Sequence, residues 1–210
     1  MIGELRDAAG RVLIVAPLRL EAAIIASGAR GAPVRKTGMG PEKARIAAGR
    51  LAAEPAGGLL VLGFCGGLDS SSEPGEVIVA EELYAADDEG HAEQRVPLPR
   101  SPELLGRVVG LGLKVRRGSI VCVRRIALGE RRAELHARGA IAVDMESVWL
   151  AAGAAERPFG VVRVVLDTPG REPWRPLGTV AGFRRASRAL RAAAPALAGF
   201  PSGAKIGMMR

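Results

Sequence analysis

Carboxylates and a glycine turn stand directly after apolar runs at four places in this sequence. Glu21 follows the first run, Phe64-Cys65-Gly66-Gly67 the second, Asp144-Met145-Glu146 the third and Asp167 the fourth. Carboxylates delivered by separate elements can meet in one cleft and divide acid and base roles there. Glycines beside them let a ligand touch backbone. Each also has a plainer reading. Glu21 suits a helix N-terminus, where negative charge is favoured, and Asp144 suits an N-cap. Glu146 can be a surface charge that complements the helix dipole, and Asp167, before Thr168-Pro169-Gly170, can start a turn. Gly66-Gly67 can be a tight turn and nothing more. Their coincidence at strand ends favours chemistry.

The runs before these residues read as strands. Arg11–Ala16, Val34–Thr37, Leu59–Gly63, Glu76–Tyr84, Ser119–Val123, Ala140–Val143 and Phe159–Leu166 are apolar with no in/out alternation. Such strands are covered on both faces. Between them, Arg19–Ala26, Pro41–Ala53, Pro102–Leu113, Gly129–Ala137, Asp144–Ala155 and Leu177–Leu197 read as helices, and Phe64–Gly75 as a loop. The expected fold is a single α/β domain, a mixed central β-sheet flanked by helices on both faces. Its bounds are 11–198, with an N-terminal extension at 1–10 and a flexible tail at 199–210. In open α/β sheets ligands bind beyond the carboxyl ends of strands, where the four features lie.

Composition narrows the classes. The 210 residues are 48% hydrophobic and 25% charged, enough for a sizeable core. No apolar run is long enough to span a bilayer, and Met1–Gly10 does not read as a signal peptide. Cys65 and Cys122, far apart in apolar contexts, argue against a disulfide framework or a cysteine metal site and fit a reducing cytoplasm. The net charge is +8, but 26 of the 30 basic residues are Arg in an Ala- and Gly-rich chain, and they hardly interleave with aromatics. Compositional bias accounts for that better than nucleic-acid binding; attraction to an anionic membrane surface is the other reading. Gly38-Met39-Gly40 lacks the third glycine of a dinucleotide fingerprint, and there is no GxxxxGK[ST]. Gly63–Gly67 lacks the serine of a nucleophile elbow. His91 and His136 have no metal-ligand spacing.

Together, Gly38-Met39-Gly40-Pro41, Gly63-Phe64-Cys65-Gly66-Gly67-Leu68, Asp144-Met145-Glu146 and Val162-Arg163-Val164-Val165-Leu166-Asp167 resemble the purine nucleoside phosphorylase/nucleosidase superfamily over about residues 11–197. Within it the chain is most similar to methylthioadenosine/adenosylhomocysteine nucleosidases and to hopanoid-associated phosphorylase-like proteins, proposed to act on adenosylhopane. The resemblance implies cleavage of an N-glycosidic bond with release of adenine, and no metal or organic cofactor. It implies that Glu21 activates the attacking water, that Asp167 gives a proton to purine N7, and that Glu146 holds the ribose hydroxyls with Met145 against the sugar. Phe64, Gly66, Gly67 and Asp144 belong to the same substrate-binding set, and Cys122–Ala127, with Val123 and Ile126, would wall the purine. A proton on Asp167 near pH 7 needs a pKa about three units above the reference of about 3.9, roughly 4 kcal/mol. A homodimer and a cytoplasmic enzyme, with a peripheral contact to the inner membrane surface, are implied as well.

Departures from the superfamily pattern favour water over phosphate. Its phosphorylases grip phosphate with an arginine in the first strand–helix loop, another before the glycine turn and a serine within it. Here Glu21 stands at or beside the first place, Leu60-Val61-Leu62 covers the second, and Phe64 replaces the serine. Arg19 is the arginine that a loop shift could aim inward. Leu166 stands where the nucleosidases often have a serine bound to the aspartate. The alternatives are a phosphate-dependent phosphorylase and a non-catalytic purine- or lipid-binding relative.

Overall fold

The computed structural model describes residues 10–29, 31–87, 92–169 and 176–201. In chain order the elements are β1 (Val12–Ala16), α1 (Arg19–Gly28), β2 (Val34–Lys36), α2 (Pro41–Ala53), β3 (Gly58–Gly67), β4 (Val77–Ala86), β5 (Ala92–Pro97), α3 (Ser101–Val108), β6 (Val115–Cys122), α4 (Glu130–Ala137), β7 (Ala140–Asp144), α5 (Ser147–Leu150), a 3₁₀ turn (Ala151–Ala154), β8 (Phe159–Asp167) and α6 (Pro176–Leu197). This is the expected single α/β domain with one mixed sheet.

Continuous apolarity in the strands has the expected cause. Leu60, Leu62 and Phe64 of β3, with Val162 and Val164 of β8, face a core capped by α1, α3 and α6. The alternate residues Leu59, Val61, Cys65, Val161 and Val165 face a second core closed by α2 and α5. Successive strand side chains point to opposite faces, so both sets must be apolar. α6 buries Ala186, Ala189, Leu190, Ala193, Ala194 and Leu197 at helical spacing. Its Arg184, Arg185, Arg188 and Arg191 are exposed, a solvated face.

β3 pairs in parallel with β1 and β8. β8 runs antiparallel to β4, β4 parallel to β6, and β6 parallel to β7. β7 returns antiparallel to β3 through Gly66↔Val143 and Gly67↔Ala142. Strands β3, β8, β4, β6 and β7 therefore form a closed ring, with β1 and β2 extending it on one side and β5 added to β4.

Several boundaries differ from expectation. Phe64–Gly67 is strand, the end of β3, because its backbone pairs with β8 and β7. The helix expected over Asp144–Ala155 is one turn of α-helix and one of 3₁₀, and the one expected over Pro102–Leu113 stops at Val108, followed by Gly110 and Gly112 with positive φ. β5 was not expected: it is an exposed polar edge strand, with no apolar periodicity to mark it. Phe200 is 1% exposed within the first core, so residues 199–201 belong to the domain and not to a tail. Residues 1–9 and 202–210 lie outside the described residues. No helix among the described residues is long and apolar enough to cross a membrane.

Candidate active site

The ring brings the four strand ends together. A register shift between Cys65 and Gly66 sets Asp167 of β8 beside Gly66. β7 sets Val143 on the other side of Gly66, and β6 aligns Cys122 with Asp144. β1 leads through Pro17 into α1, whose first turn carries Glu21. An open cavity of about 220 Å³ lies over this convergence. Of the candidate site residues, Glu21, Phe64, Gly66, Val123, Ile126, Asp144, Met145, Glu146 and Asp167 line it. Two residues do not. Cys122 is fully buried and accepts a hydrogen bond on Sγ from the Val148 amide, so it supports α5 from beneath. Gly67 lies behind Gly66, and its carbonyl accepts from Arg132.

Glu21 is 2% exposed. Its Oε2 accepts from the Leu18 amide at 2.7 Å, and its Oε1 from the Phe64 amide at 2.6 Å. The same carboxylate caps the α1 N-terminus, joins it to the end of β3 and lines the cavity. Burial raises its pKa above the usual carboxylate value, against the pull of Arg163 and the two amide hydrogen bonds.

Asp144 ends β7 and turns the chain into α5, with Oδ1 accepting from the Glu146 and Ser147 amides. Asp144 is not the N-cap expected of it: the helix begins at Ser147 with Glu146 at the N-cap, and Asp144 holds the turn that leads into it. Its Oδ2 accepts from Ser147 Oγ and from Arg163, with contacts of 2.8 Å to Nε and 2.6 Å to Nη2. Arg163 holds this carboxyl below the usual range in spite of burial, and its own pKa is raised. Glu146 accepts from the Gly40 amide at 2.9 Å and lies 3.5 Å from Arg163 Nη2. The Gly38-Met39-Gly40 segment is thus a support for Glu146. Burial pushes the Glu146 carboxyl up to about 7, opposed chiefly by Arg163.

Two buried arginines, Arg163 and Arg132, have no role among the expectations from sequence. Arg163 is fully buried under the cavity floor, among Glu21, Asp144 and Glu146. Its Nη1 makes no hydrogen bond. That nitrogen and Glu21 Oε1 both lie over Gly63, where a Cβ would stand 2.9 Å and 2.7 Å from them; only glycine leaves that space. A lone charge inside an apolar strand is the signal that could have found Arg163, since a buried charge requires a partner. Arg132, in the first turn of α4, lines the cavity and meets Asp167 Oδ2 at 2.8 Å. Asp167 Oδ2 therefore accepts from a side chain that can only donate.

Among the described residues the lining carries Glu21, Asp144, Glu146 and Asp167, with Arg132 as its basic residue. Arg19 is exposed and does not line the cavity. The rest is apolar: Pro17, Leu18, Met39, Phe64, Val123, Ile126, Met145 and Leu166 among others, with Leu18, Met39 and Ile126 left exposed.

A family model described as the phosphorylase superfamily matches residues 18–196, the stretch that holds Glu21, Asp144, Glu146, Arg132, Arg163 and Asp167. The chain belongs to the phosphorylase superfamily. Solved superfamily-like structures share the fold at low identity. The 5′-methylthioadenosine/S-adenosylhomocysteine nucleosidase of Neisseria meningitidis, in complex with methylthio-immucillin-A, is 18% identical. That match covers 90% of this chain and 98% of that one, with a TM-score of 0.72. The corresponding nucleosidase of Colwellia psychrerythraea, in complex with adenine, is 18% identical, with 90% and 96% covered and a TM-score of 0.69. Futalosine hydrolase of Helicobacter pylori is 15% identical, with 89% and 94% covered and a TM-score of 0.69. No curated protein matches the sequence significantly.

Proposed function

We propose that this superfamily member hydrolyses the N-glycosidic bond of an adenosine-type nucleoside and releases adenine. The observation that carries the reading is the charge around the cavity. Among the described residues, Glu21, Asp144 and Glu146 surround the buried Arg163, and the lining sets four carboxylates beside Arg132. Such a pocket repels a phosphate dianion and suits a neutral sugar and water. In this reading Glu146 accepts hydrogen bonds from the ribose 2′- and 3′-hydroxyls, and Met145 packs on the sugar. Glu21 takes a proton from the attacking water, and the base leaves against Asp167 and Arg132. Two of the structural relatives are nucleosidases named for methylthioadenosine and adenosylhomocysteine, one of them with adenine bound, which supports the substrate class.

The test is free adenine measured with a panel of 5′-substituted adenosines, each with and without phosphate. Release in phosphate-free buffer is the expected result. Release that appears only with phosphate, with ribose-1-phosphate as product, would show phosphorolysis; no release from any substrate would favour a binding protein.

The finer substrate proposal is an apolar 5′ substituent, as in an adenosyl hopanoid lipid. Its support is the apolar lining and the exposed Leu18, Met39 and Ile126 at the mouth. Turnover that increases from methylthio to long alkyl substituents is expected; best turnover on methylthioadenosine points to an ordinary nucleosidase. The homodimer and the peripheral contact with the cytoplasmic membrane surface belong to this same proposal. Sedimentation velocity and salt-sensitive binding to anionic vesicles check them.

Glu146 gives the reading a pH signature. Its ionised form is the one that accepts two hydroxyls, and its carboxyl titrates at about 7. The free-enzyme profile of kcat/KM should therefore rise with pH through about 7. The folded carboxyl holds its proton more tightly than the unfolded one, from a reference of 4.5. Its contribution to stability is therefore full below about 4.5 and is lost as pH rises through about 7. Activity and stability should move in opposite directions across that window. A kcat/KM flat from pH 5 to 8 contradicts the role given to Glu146.

A further inference from the structure

Arg132 is held in one pose from three sides. Its Nε donates to the Ala127 carbonyl at 2.9 Å, in the segment that walls the cavity. Its Nη1 donates to the Gly67 carbonyl at 3.3 Å, and its Nη2 to Asp167 Oδ2 at 2.8 Å. The side chain is 3% exposed, yet it lines the cavity. It reaches Asp167 past Gly66, where a Cβ would stand 3.0 Å from Nη2 and 3.2 Å from Asp167 Oδ1. A guanidinium has five N–H donors. Three are used here, which leaves one hydrogen on each terminal nitrogen. Asp167, paired with this cation, is an acceptor. The cavity therefore presents a fixed donor next to a fixed acceptor. The Hoogsteen edge of a 6-aminopurine is the complement: N7 accepts and the N6 amine donates. A 6-oxopurine offers two acceptors, and its O6 would face the Asp167 carboxylate.

From this we infer that Arg132, and not a protonated Asp167, is the hydrogen-bond donor to purine N7, while Asp167 accepts from the 6-amino group. The inference rests on the adenine nucleosidase reading above and changes how the base is made to leave. Water oxygen bonds to C1′ as the C1′–N9 electron pair moves onto N9, and the proton of that water goes to Glu21. The departing adenine is an anion, stabilised by the charged donor at N7. It takes a proton from solvent on release, and Glu21 returns its proton to solvent. No proton passes through Asp167. An ionised donor makes the stronger kind of hydrogen bond, and a guanidinium stays charged throughout the working pH range.

Binding of 9-methyladenine and of its 7-deaza counterpart tests this apart from turnover. The blocked N9 leaves N7 as an acceptor in the first, and the second has C–H there. By calorimetry the full-length chain should bind 9-methyladenine at least tenfold more tightly. Arg132→Met should bring the two within about twofold, and Asp167→Ala should keep the preference for N7. An arginine that served only to tie the loops together would weaken both ligands equally. Where Arg132→Met does not fold, the pH dependence of the N7 preference in the unaltered protein decides. A preference unchanged from pH 5 to 9 supports Arg132, and one that disappears as pH rises assigns the donor to a protonated Asp167. A preference that survives Arg132→Met and disappears in Asp167→Ala overturns the inference too. Equal binding of the two ligands overturns it and leaves the nucleosidase reading standing. Failure of both to bind removes the adenine reading along with it.

Discussion

Glu21→Gln should lower turnover of an adenosine-type substrate by about 10²-fold or more, the usual range for loss of a general base. Carbon, nitrogen and oxygen positions are kept, and the proton acceptor is removed. The substitution also disturbs structure in a foreseeable way. Glu21 accepts from two backbone amides, at Leu18 and Phe64. Glutamine has one carbonyl oxygen, so its NH₂ must face one of these N–H groups. A lost helix cap costs about 1 kcal/mol, a few degrees in a chain of this size. A hundredfold loss at saturating substrate cannot come from that. Parallel measurement of kcat and thermal midpoint separates the two effects. Turnover within threefold of the unaltered protein would remove Glu21 from the chemistry and leave it as a cap.

The largest effect on stability should come from Arg163. Its guanidinium is fully buried and contacts Asp144 through Nε and Nη2, Ser147 Oγ at 3.0 Å and Glu146 at 3.5 Å. Arg163→Met conserves much of the volume and leaves Asp144 buried and ionised without its partner. Breaking a buried pair on one side costs about 3–5 kcal/mol, which is roughly 10 °C in thermal midpoint. The sign of the pH dependence is a further check. Arg163 depresses the Asp144 carboxyl, so the pair contributes stability above the ordinary carboxylate pKa. That contribution is lost as pH falls through the depressed value. The deficit of the variant should therefore shrink in acid. Arg163→Lys keeps the charge without the planar fork and should fall between. A midpoint within 2 °C of the unaltered protein would mean that the carboxylates are held by other groups.

The legible parts of the sequence were those in which one physical requirement dominates. Apolar runs such as Arg11–Ala16 and Phe159–Leu166 are strands because both faces are covered, and their ends carried Glu21 and Asp167 to the cavity. Phe64–Gly67 reads as loop because two glycines signal a turn locally, while the pairing that makes them strand lies in β7 and β8. β5 has no apolar face to read. Cys122 was placed in the cavity by analogy, and the register of β6 puts its side chain beneath it. Arg132 sits in Glu130-Arg131-Arg132-Ala133-Glu134, which has the composition of a solvated helix face. Only its spacing to the buried Leu135, one turn on, hinted that it points inward. Which of two adjacent arginines meets Asp167 depends on the whole ring.

The closure of that ring by Gly66↔Val143 and Gly67↔Ala142 also bears on the order of events in refolding. Gly40 and Glu146, which share a hydrogen bond, are 106 positions apart in the chain. Loop-closure entropy must be spent before such distant pairs are rewarded, and chains dominated by them fold slowly. No early hairpin or helix pair assembles part of this cavity, because Glu21, Glu146, Arg163 and Asp167 meet only when the last strands are in register. A partly folded chain therefore has the carboxylates without their countercharge, dispersed in solvent and unable to cleave indiscriminately. The assembled cavity appears together with the completed ring.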